Sequence, residues 1–491
     1  MGSETETYGY RGASALLDHR LVLQTAGGRT VQGPAAHPRF FTGFAVDPRP
    51  TAAGLVVLAD LARTDFRRSR QSLDGTWRGY RDPVVTGDGE RLRFEALSGC
   101  CGGYARLDLL PSALDGQWLG RGTTNVDINP PLYTALTRVG AGDPLRLSVG
   151  PDDLTVATLD GAVVEKRVPL PQRWLRGLAE VPAVAAGFEL RAELPAAEAH
   201  AFLQRLPVRG GAEVRWLMPV GRSLRAGAAP LPGAVCLAAP HRLAVLRPLL
   251  RFARALRLYG PTARAGSPAL CSGWELDLGM MRFWLMLSPA TNRGFSGEGR
   301  LLDALAGGAP PAPDAVPPPQ GGASEASHTG AAGGTGDVAG LARAVGDADL
   351  VGGLLGWEPT VDVAEVAARS GLTPDRVRAA LAVLAGSGQV GYDCAEVGYF
   401  HRELPYAPER VATLHPRLTA ARALAGADTV RRRGDDLEVV SGDRSYLVHR
   451  TADGRLGCTC PWWSAHRGGR GPCKHVLAAT ITEPTLTGGA R

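Results

Sequence analysis

The 491-residue chain combines 44% hydrophobic with 21% charged residues, a balance that is typical of soluble globular proteins and excludes fibrous and disordered classes. Its 54 Lys and Arg exceed its 48 Asp and Glu by only six, so the charge permits a polyanionic partner without requiring one. No run approaches the roughly 18 apolar residues of a membrane span, and the polar N-terminus lacks a signal pattern. Eight scattered cysteines do not form a disulfide framework, so we expect a cytoplasmic protein with no membrane partner.

Residues 1–306 are predicted to form a mixed α+β region of unknown function, rich in strands and divided into one or two subdomains. Residues 91–97, 104–109 and 145–149 alternate apolar and polar side chains with a period of two. This period indicates half-buried strands of an antiparallel sheet. Asp160-Gly161 lies between two further strand-like runs, and this dipeptide is a strong signal for a hairpin turn.

Residues 246–258 of this region have a helical pattern. Its apolar residues fall on one face at helical spacing, which predicts an amphipathic helix. The opposite face carries four arginines: Arg247, Arg251, Arg254 and Arg257. Four guanidinium groups on one face suit phosphate binding, and an ordinary solvated surface is the favoured alternative. No phosphate loop, dinucleotide fingerprint or catalytic triad is found, so no catalytic residue and no small-molecule substrate are assigned.

Residues 307–336 are rich in Pro, Gly and Ala. They offer too little apolar surface to fold by themselves, so they predict a semi-flexible linker. The linker marks a domain boundary between the N-terminal region and the rest of the chain.

Residues 337–405 have the pattern of a winged helix-turn-helix, which we call winged-helix-like. Asp362 and Thr373 are predicted N-caps of two successive helices. Gly371 is predicted to end the first helix in a left-handed conformation, and Pro374 suits the first position of the second. Two short strands complete the pattern as a wing: 389–392 and 397–400.

The second of these helices is the candidate for reading DNA. Its predicted outward face carries Asp375, Arg376, Arg378, Ala379 and Ala382. Only the two arginines have side chains that reach and read base edges, and Asp375 at the helix start repels phosphate. We therefore assign Arg376 and Arg378 as candidate nucleic-acid contacts. A protein-interaction or spacer role for this unit is the alternative.

Four metal ligands stand near the C-terminus in two pairs, Cys458-x-Cys460 and Cys473-x-His475. Side chains two apart in a strand lie on one face, so the first pair can reach the same ion. The second pair opens an apolar helix that would pack over the site. Three thiols and one imidazole suit a closed tetrahedral Zn²⁺ site with no open position for water, so the ion is expected to be structural. A hairpin turning at residues 441–443 precedes the site, and residues 461–472 between the pairs are predicted to form a loop.

This arrangement resembles the SWIM zinc finger, a small ββα domain that would here occupy residues 406–491. Cys458, Cys460, Cys473 and His475 match its ligand positions one for one, and Pro461 is also typical of the family. The resemblance implies one bound Zn²⁺, with DNA-binding and protein-interaction roles proposed for such modules. The whole architecture is similar to bacterial proteins known only for their SWIM fingers.

The loop between the two ligand pairs combines aromatic and basic residues. Arg467, Arg470 and Lys474 are candidate nucleic-acid contacts, and Trp462-Trp463 could stack on bases. The favoured alternative is that one of the two tryptophans, Trp462 or Trp463, lies in the small core of the finger.

The sequence therefore predicts an α+β, non-enzymatic, zinc-containing protein that binds DNA or another nucleic acid. An adaptor that joins proteins in a larger bacterial complex is the alternative. An enzyme housed in residues 1–306 ranks lowest.

Overall fold

The computed structural model describes residues 39–66, 83–289, 294–295, 338–404, 416–451 and 456–487, except for the single positions 209, 212, 428 and 469. It also gives four short strands near the N-terminus: Ala15–Leu17, Arg20–Val22, Gly28–Thr30 and Gly33–Ala35. The predicted linker at 307–336 lies outside the described residues. Within the part that is described, no helix is long and apolar enough to cross a bilayer.

An eight-stranded antiparallel sheet, here called the central sheet, organises the N-terminal region. Its strands in spatial order are Gly122–Asn125, Val84–Gly87, Leu92–Leu97, Gly103–Leu109, Met281–Leu287, Ser272–Asp277, Ala255–Gly260 and Glu189–Pro195. The helix Pro48–Arg63 covers one face and brings Gly54 against Leu107. The mixed α+β character and the β-rich N-terminal region that the sequence predicts are confirmed.

The two middle strands Leu92–Leu97 and Gly103–Leu109 are buried on both faces, so the prediction of half-buried strands is wrong for them. The period of two is present, but the polar positions do not face water. Arg93, Glu95 and Arg106 are each at most 1% exposed. A buried charge is costly unless it is paired and hydrogen-bonded, so these side chains need charged partners within the fold.

Some of those partners lie on the sheet itself, where Asp108 pairs with Arg106. The others come from a hairpin in the C-terminal half, formed by the strands Val390–Asp393 and Gly398–His401. Asp393 Oδ2 lies 3.0 Å from Arg106 Nη2 and 2.9 Å from Arg282 Nη2. Arg402, just after the hairpin, forms an ion pair with Glu95. The hairpin therefore covers the polar face of the central sheet.

Two smaller antiparallel sheets complete the N-terminal region. One has the order Gly161–Lys166, Asp153–Thr158, Arg146–Val149, Phe41–Ala45 and Leu114–Trp118. The other has the order Ser223–Gly227, Val214–Val220 and Val235–Ala238. The predicted hairpin at Asp160-Gly161 is confirmed, and Gly161 has a φ of 120°, which is why glycine suits this turn.

The helix predicted at residues 246–258 is wrong. A 3₁₀ helix spans Pro240–Phe252 and the strand Ala255–Gly260 follows it, because Leu256 and Leu258 enter the central sheet with a period of two. The arginines consequently do not share one face. Arg247 donates to the carbonyl groups of Leu203, Gln204 and Leu206 at the end of the helix Ala196–Arg205. Arg257 instead pairs with Glu275 at 2.9 Å.

Residues 338–404, here called the 338–404 unit, contain the helices Val338–Leu354, Val363–Ser370 and Pro374–Gly386 before the hairpin. Three predicted details are confirmed. The Asp362 side chain accepts from the backbone N–H of Ala364 at 2.8 Å, Thr373 accepts from that of Arg376 at 3.4 Å, and Gly371 has a φ of 70°. The outward position predicted for Ala382 is wrong, because this residue is buried.

One helix of the N-terminal region, Gln172–Ala185, is here called the bridging helix because it packs on several parts of the chain. Its Gly177 lies against Leu97 of the central sheet. It also packs along Pro374–Gly386, the helix that was the candidate for reading DNA. That helix is therefore partly covered by the N-terminal region.

The C-terminal part has a four-stranded antiparallel sheet with the order Val430–Arg433, Asp436–Ser441, Arg444–Arg450 and Leu456–Cys458. Its helices are Pro416–Gly426, Pro461–His466 and Lys474–Thr487. The hairpin turn predicted at residues 441–443 is confirmed, with Gly442 at a φ of 68°. The segment predicted as a loop is partly helical, because Pro461 begins a short helix at a position where its missing N–H costs nothing.

Replacing Asp393 with Ala should lower the free energy of unfolding by about 3–5 kcal/mol, because it breaks two buried ion pairs and leaves excess positive charge around Arg106 and Arg282. Chemical denaturation of the full chain measures this change. Asp375→Ala is the matched control, since Asp375 pairs with Arg378 but its side chain is 94% exposed. A loss for Asp393→Ala no larger than that of the control would contradict the pairing.

The same pairing predicts a dependence on acid. Burial by itself would raise the pKa of Asp393, but Arg106 and Arg282 outweigh it and hold the pKa well below its usual range. The stability that this carboxylate contributes is therefore complete above the unfolded pKa, about 4, and is lost as the pH falls towards the lower folded value. Between pH 5 and 2, the free energy of unfolding should fall more steeply for the natural chain than for Asp393→Asn. Chemical denaturation at each pH measures this quantity. Equal slopes would contradict this assignment.

Candidate metal centre

Three local elements bring the four predicted ligands together. Cys458 ends the strand Leu456–Cys458, and Cys460 is the N-cap of the helix Pro461–His466. Cys473 and His475 lie at the start of Lys474–Thr487, here called the finger helix. All four side chains are buried, and their ligand atoms lie within 4.8 Å of one another. Zn–S bonds of about 2.3 Å require sulfur atoms about 3.8 Å apart, so the cluster has the dimensions of a tetrahedral site.

His475 faces the thiols with one particular nitrogen. Its Nδ1 lies 3.8 Å from Cys458 Sγ and 4.0 Å from Cys473 Sγ. The ring stacks on Tyr446 with the centroids 4.4 Å apart, which fixes its orientation. Its Nε2 is buried and has no hydrogen-bond partner among the described residues. Nδ1 is therefore the ligand atom that this geometry offers.

The thiols cannot all ionise together without a cation. A hydrogen bond with Cys473 and burial raise the pKa of Cys458, and burial raises that of Cys460. Cys473 is the thiol that carries the negative charge, because hydrogen bonds from Cys458, His475 and the Val476 N–H lower its pKa to about 4. A divalent ion supplies the positive charge that lets three thiolates coexist, so the residues present fit zinc.

Backbone N–H groups also hold two of the sulfur atoms. The Trp463 N–H donates to Cys460 Sγ at 3.3 Å, and the Val476 N–H donates to Cys473 Sγ at 3.4 Å. Both donors lie in the first turn of a helix, where backbone N–H groups have no partner within the helix. Each sulfur therefore caps a helix as well as facing the metal position.

Arg417, from the helix Pro416–Gly426, fixes the segment between the ligand pairs. Its Nη1 donates to the carbonyl groups of Arg470 and Pro472 at 2.7 and 2.9 Å. Its guanidinium also lies 4.7 Å from the ring centroid of Trp462. The sequence carries no signal for this residue, because no motif links an arginine to carbonyl groups more than fifty positions away.

The aromatic residues of this segment are engaged inside the finger. Trp462 and Trp463 are half-buried and pack against its core. Trp462 also meets His466 edge to face at 4.8 Å, and His466 does not belong to the ligand cluster. Gly468 has a φ of 75°, and a Cβ there would lie 3.1 Å from the Trp463 ring. The two rings thus act mainly as packing groups, so the packing role predicted for one tryptophan applies to both.

The five predicted nucleic-acid contacts lie in two places. Arg467 is exposed, while Arg470 and Lys474 are half-buried close to the ligands. Arg376 and Arg378 lie on the helix Pro374–Gly386, and both are in ion pairs. Arg376 binds both carboxylate oxygens of Asp347, at 2.9 and 2.7 Å, and Arg378 lies 2.7 Å from Asp375.

Comparison with known proteins agrees with this geometry. The SWIM zinc finger family matches residues 448–483, which contain all four ligands. Residues 448–483 are a SWIM zinc finger. The family implies zinc as the bound metal, and the buried Cys/Cys/Cys/His cluster supports it.

Two further comparisons cover the chain as a whole. No curated protein matches it. Among solved structures it is similar to Proliferating Cellular Nuclear Antigen from Entamoeba histolytica, with 10% identity over 51% of this chain and 98% of that chain and a TM-score of 0.32. A second similar structure is the PCNA2-PCNA3 complex from Sulfolobus tokodaii, with 9% identity over 51% of this chain and 99% of that chain and a TM-score of 0.35. TM-scores of this size do not establish a common fold.

Replacing Cys473 with Ser should release zinc from the SWIM finger and unfold the chain after about residue 437, because so small a core depends on its ion. Metal analysis of the purified protein, combined with limited proteolysis, measures both effects. Cys100→Ser is the control, since Cys100 is half-buried and lies outside the ligand cluster. An unchanged zinc content in Cys473→Ser would refute the ligand assignment.

Proposed function

We propose that this protein is a non-enzymatic module that binds nucleic acid through exposed arginines of its SWIM finger domain. The distribution of charge supports this. Residues 416–487 hold eleven Lys and Arg against seven Asp and Glu, which is four of the six net positive charges of the whole chain. A local excess of positive charge attracts phosphate backbones, whereas the same net charge spread evenly over the whole chain would not.

An exposed strand of arginines carries the proposal. Val430–Arg433 is an edge strand, and Arg431, Arg432 and Arg433 are all exposed. In the described part of the chain, Arg431 and Arg432 have no carboxylate within ion-pair distance, and Arg433 lies 3.9 Å from Glu438. Charged residues on an edge also prevent sheet-to-sheet association, but that role does not require three consecutive arginines.

The contacts in the finger favour binding to the phosphate backbone over stacking on bases. Trp462 is already in contact with Arg417 and His466, and Trp463 packs on the finger core. Aromatic rings that bind single strands present a free face to the bases. We therefore propose contacts to phosphates by Arg431 and Arg432, extended by Arg467, Arg470 and Lys474.

The 338–404 unit has a subordinate place in this proposal. Its succession of helices and hairpin is similar to a winged helix, but Pro374–Gly386 packs on the bridging helix and the hairpin lies on the central sheet. Arg376 and Arg378 are held by Asp347 and Asp375. These contacts favour a structural role for the unit, with nucleic-acid contact assigned to the finger.

The metal has a structural role in the proposal. Four protein ligands complete a tetrahedral shell around one Zn²⁺ and leave no position for a reacting water. Three thiol ligands remain reduced in the cytoplasm, which is the compartment we propose.

An adaptor that binds another protein is the second candidate. Two edge strands support it, because each presents an exposed aliphatic side chain. Leu190 is 53% exposed on Glu189–Pro195, and Val164 is 49% exposed on Gly161–Lys166. Unpaired strand edges accept an added strand from a partner. A partner that co-purifies after nuclease treatment would favour this candidate.

Replacing Arg431 and Arg432 together with Glu should weaken binding to a 20-base-pair duplex at least tenfold. The slope of log affinity against log salt should also fall by about 2, since each lost phosphate contact removes about 0.9. Fluorescence anisotropy across a salt series measures both quantities.

The charge-matched control replaces Arg222 and Arg225, two exposed arginines of the N-terminal region, with Glu. It should leave the affinity and the slope close to those of the natural chain. Equal losses in the two variants, or binding that salt does not weaken, would reject the proposed surface.

A further inference from the structure

The core of the finger includes residues from outside it. Ala179 of the bridging helix is 1% exposed and belongs to the same apolar cluster as Cys458, Leu477 and Ala478. Ala183 of the same helix packs on this cluster, as does Val383 of Pro374–Gly386. We call Ala179, Ala183 and Val383 the seam. The seam joins the finger to the N-terminal region and to the 338–404 unit.

The finger helix connects the metal site to the part of the finger core that contacts the seam. His475 is its second residue, and Val476, Leu477, Ala478 and Ala479 follow it and are all buried. The finger helix also packs along Val338–Leu354 and Pro416–Gly426. The position of this helix depends on the ligands at its start, because Cys473 caps its first turn and His475 is turned towards the thiols.

We propose that zinc binding holds the finger packed against the seam. Metal occupancy is then coupled to the packing of the bridging helix and of Pro374–Gly386. Without the ion, the start of the finger helix loses its anchor, and a core this small does not persist. The seam then becomes accessible to water. The coupling stands on packing alone and is independent of any nucleic-acid partner.

The central sheet should not take part in this change. Its apolar cluster includes Phe94, Leu107 and Phe283, and it contains no residue of 416–487 among those described. Its polar face is covered by the hairpin through Asp393 and Arg402, and Arg402 also donates to the Leu178 carbonyl group of the bridging helix at 2.8 Å. Loss of zinc is therefore expected to open one face of the bridging helix and to leave the sheet intact.

Hydrogen exchange measured on the full chain, with and without removal of zinc by a chelator, tests the coupling between zinc binding and packing at the seam. We expect exchange to quicken at least tenfold in Pro374–Gly386 and in the bridging helix, and to stay unchanged in Leu92–Leu97 and Met281–Leu287. An effect confined to residues 416–487 would overturn the proposal, because the finger would then open without affecting the seam. Faster hydrogen exchange throughout the central sheet would also overturn the proposal, because the change would then be general unfolding.

A variant of the seam tests the coupling from the other side. If zinc favours docking, docking must favour zinc by the same factor, since coupling between two equilibria is reciprocal. Ala183→Glu should therefore weaken the affinity for zinc about tenfold in competition with a chromogenic chelator, although residue 183 is not a ligand. Ala162→Glu, at an exposed position in a hairpin, is the matched control and should leave the affinity unchanged. An unchanged zinc affinity in Ala183→Glu would overturn the coupling.

Discussion

The charge buried on the central sheet is satisfied partly within the sheet and partly by a hairpin from the distant half of the chain. Arg106 and Arg282 both converge on Asp393, and Glu95 on the sheet meets Arg402. Attraction between these groups must offset the loss of hydration that each suffers on burial, and removing one partner leaves an excess of buried charge of one sign. This requirement attaches the 338–404 unit to the N-terminal region, although a long segment separates them in sequence.

The bridging helix extends that attachment to the finger. One part of it lies on the central sheet through Gly177, and Ala179 and Ala183 lie on the core that surrounds the thiols. Small residues at these positions let neighbouring helices and strands approach closely. The SWIM finger is therefore packed into the rest of the molecule, and its surface is divided between internal contacts and the exposed arginines of Val430–Arg433.

The sequence predicts those features that depend on local chemistry. Cys458, Cys460, Cys473 and His475 were found by spacing, and Asp362, Gly371 and Gly161 were identified because caps and tight turns require particular residues at particular positions. The failures involve partners that are remote in the chain. A period of two marks Arg93 and Glu95 as one face of a strand, but it cannot show whether water or another hairpin covers that face. Leucines spaced three and four apart predict one helix over 246–258, but the helix ends at Phe252, and pairing with neighbouring strands makes a strand from Ala255 onwards.

Attachment through ion pairs also affects how the chain can vary in length. The 338–404 unit is placed by Asp393, Arg402 and the bridging helix, so the residues that connect it to the strand Met281–Leu287 need only span the distance. Doubling the length of a flexible connection costs only about 0.6 kcal/mol in chain entropy. On the prediction that 307–336 is a semi-flexible linker, a change in its length should alter the free energy of unfolding far less than the loss of one of these charged contacts.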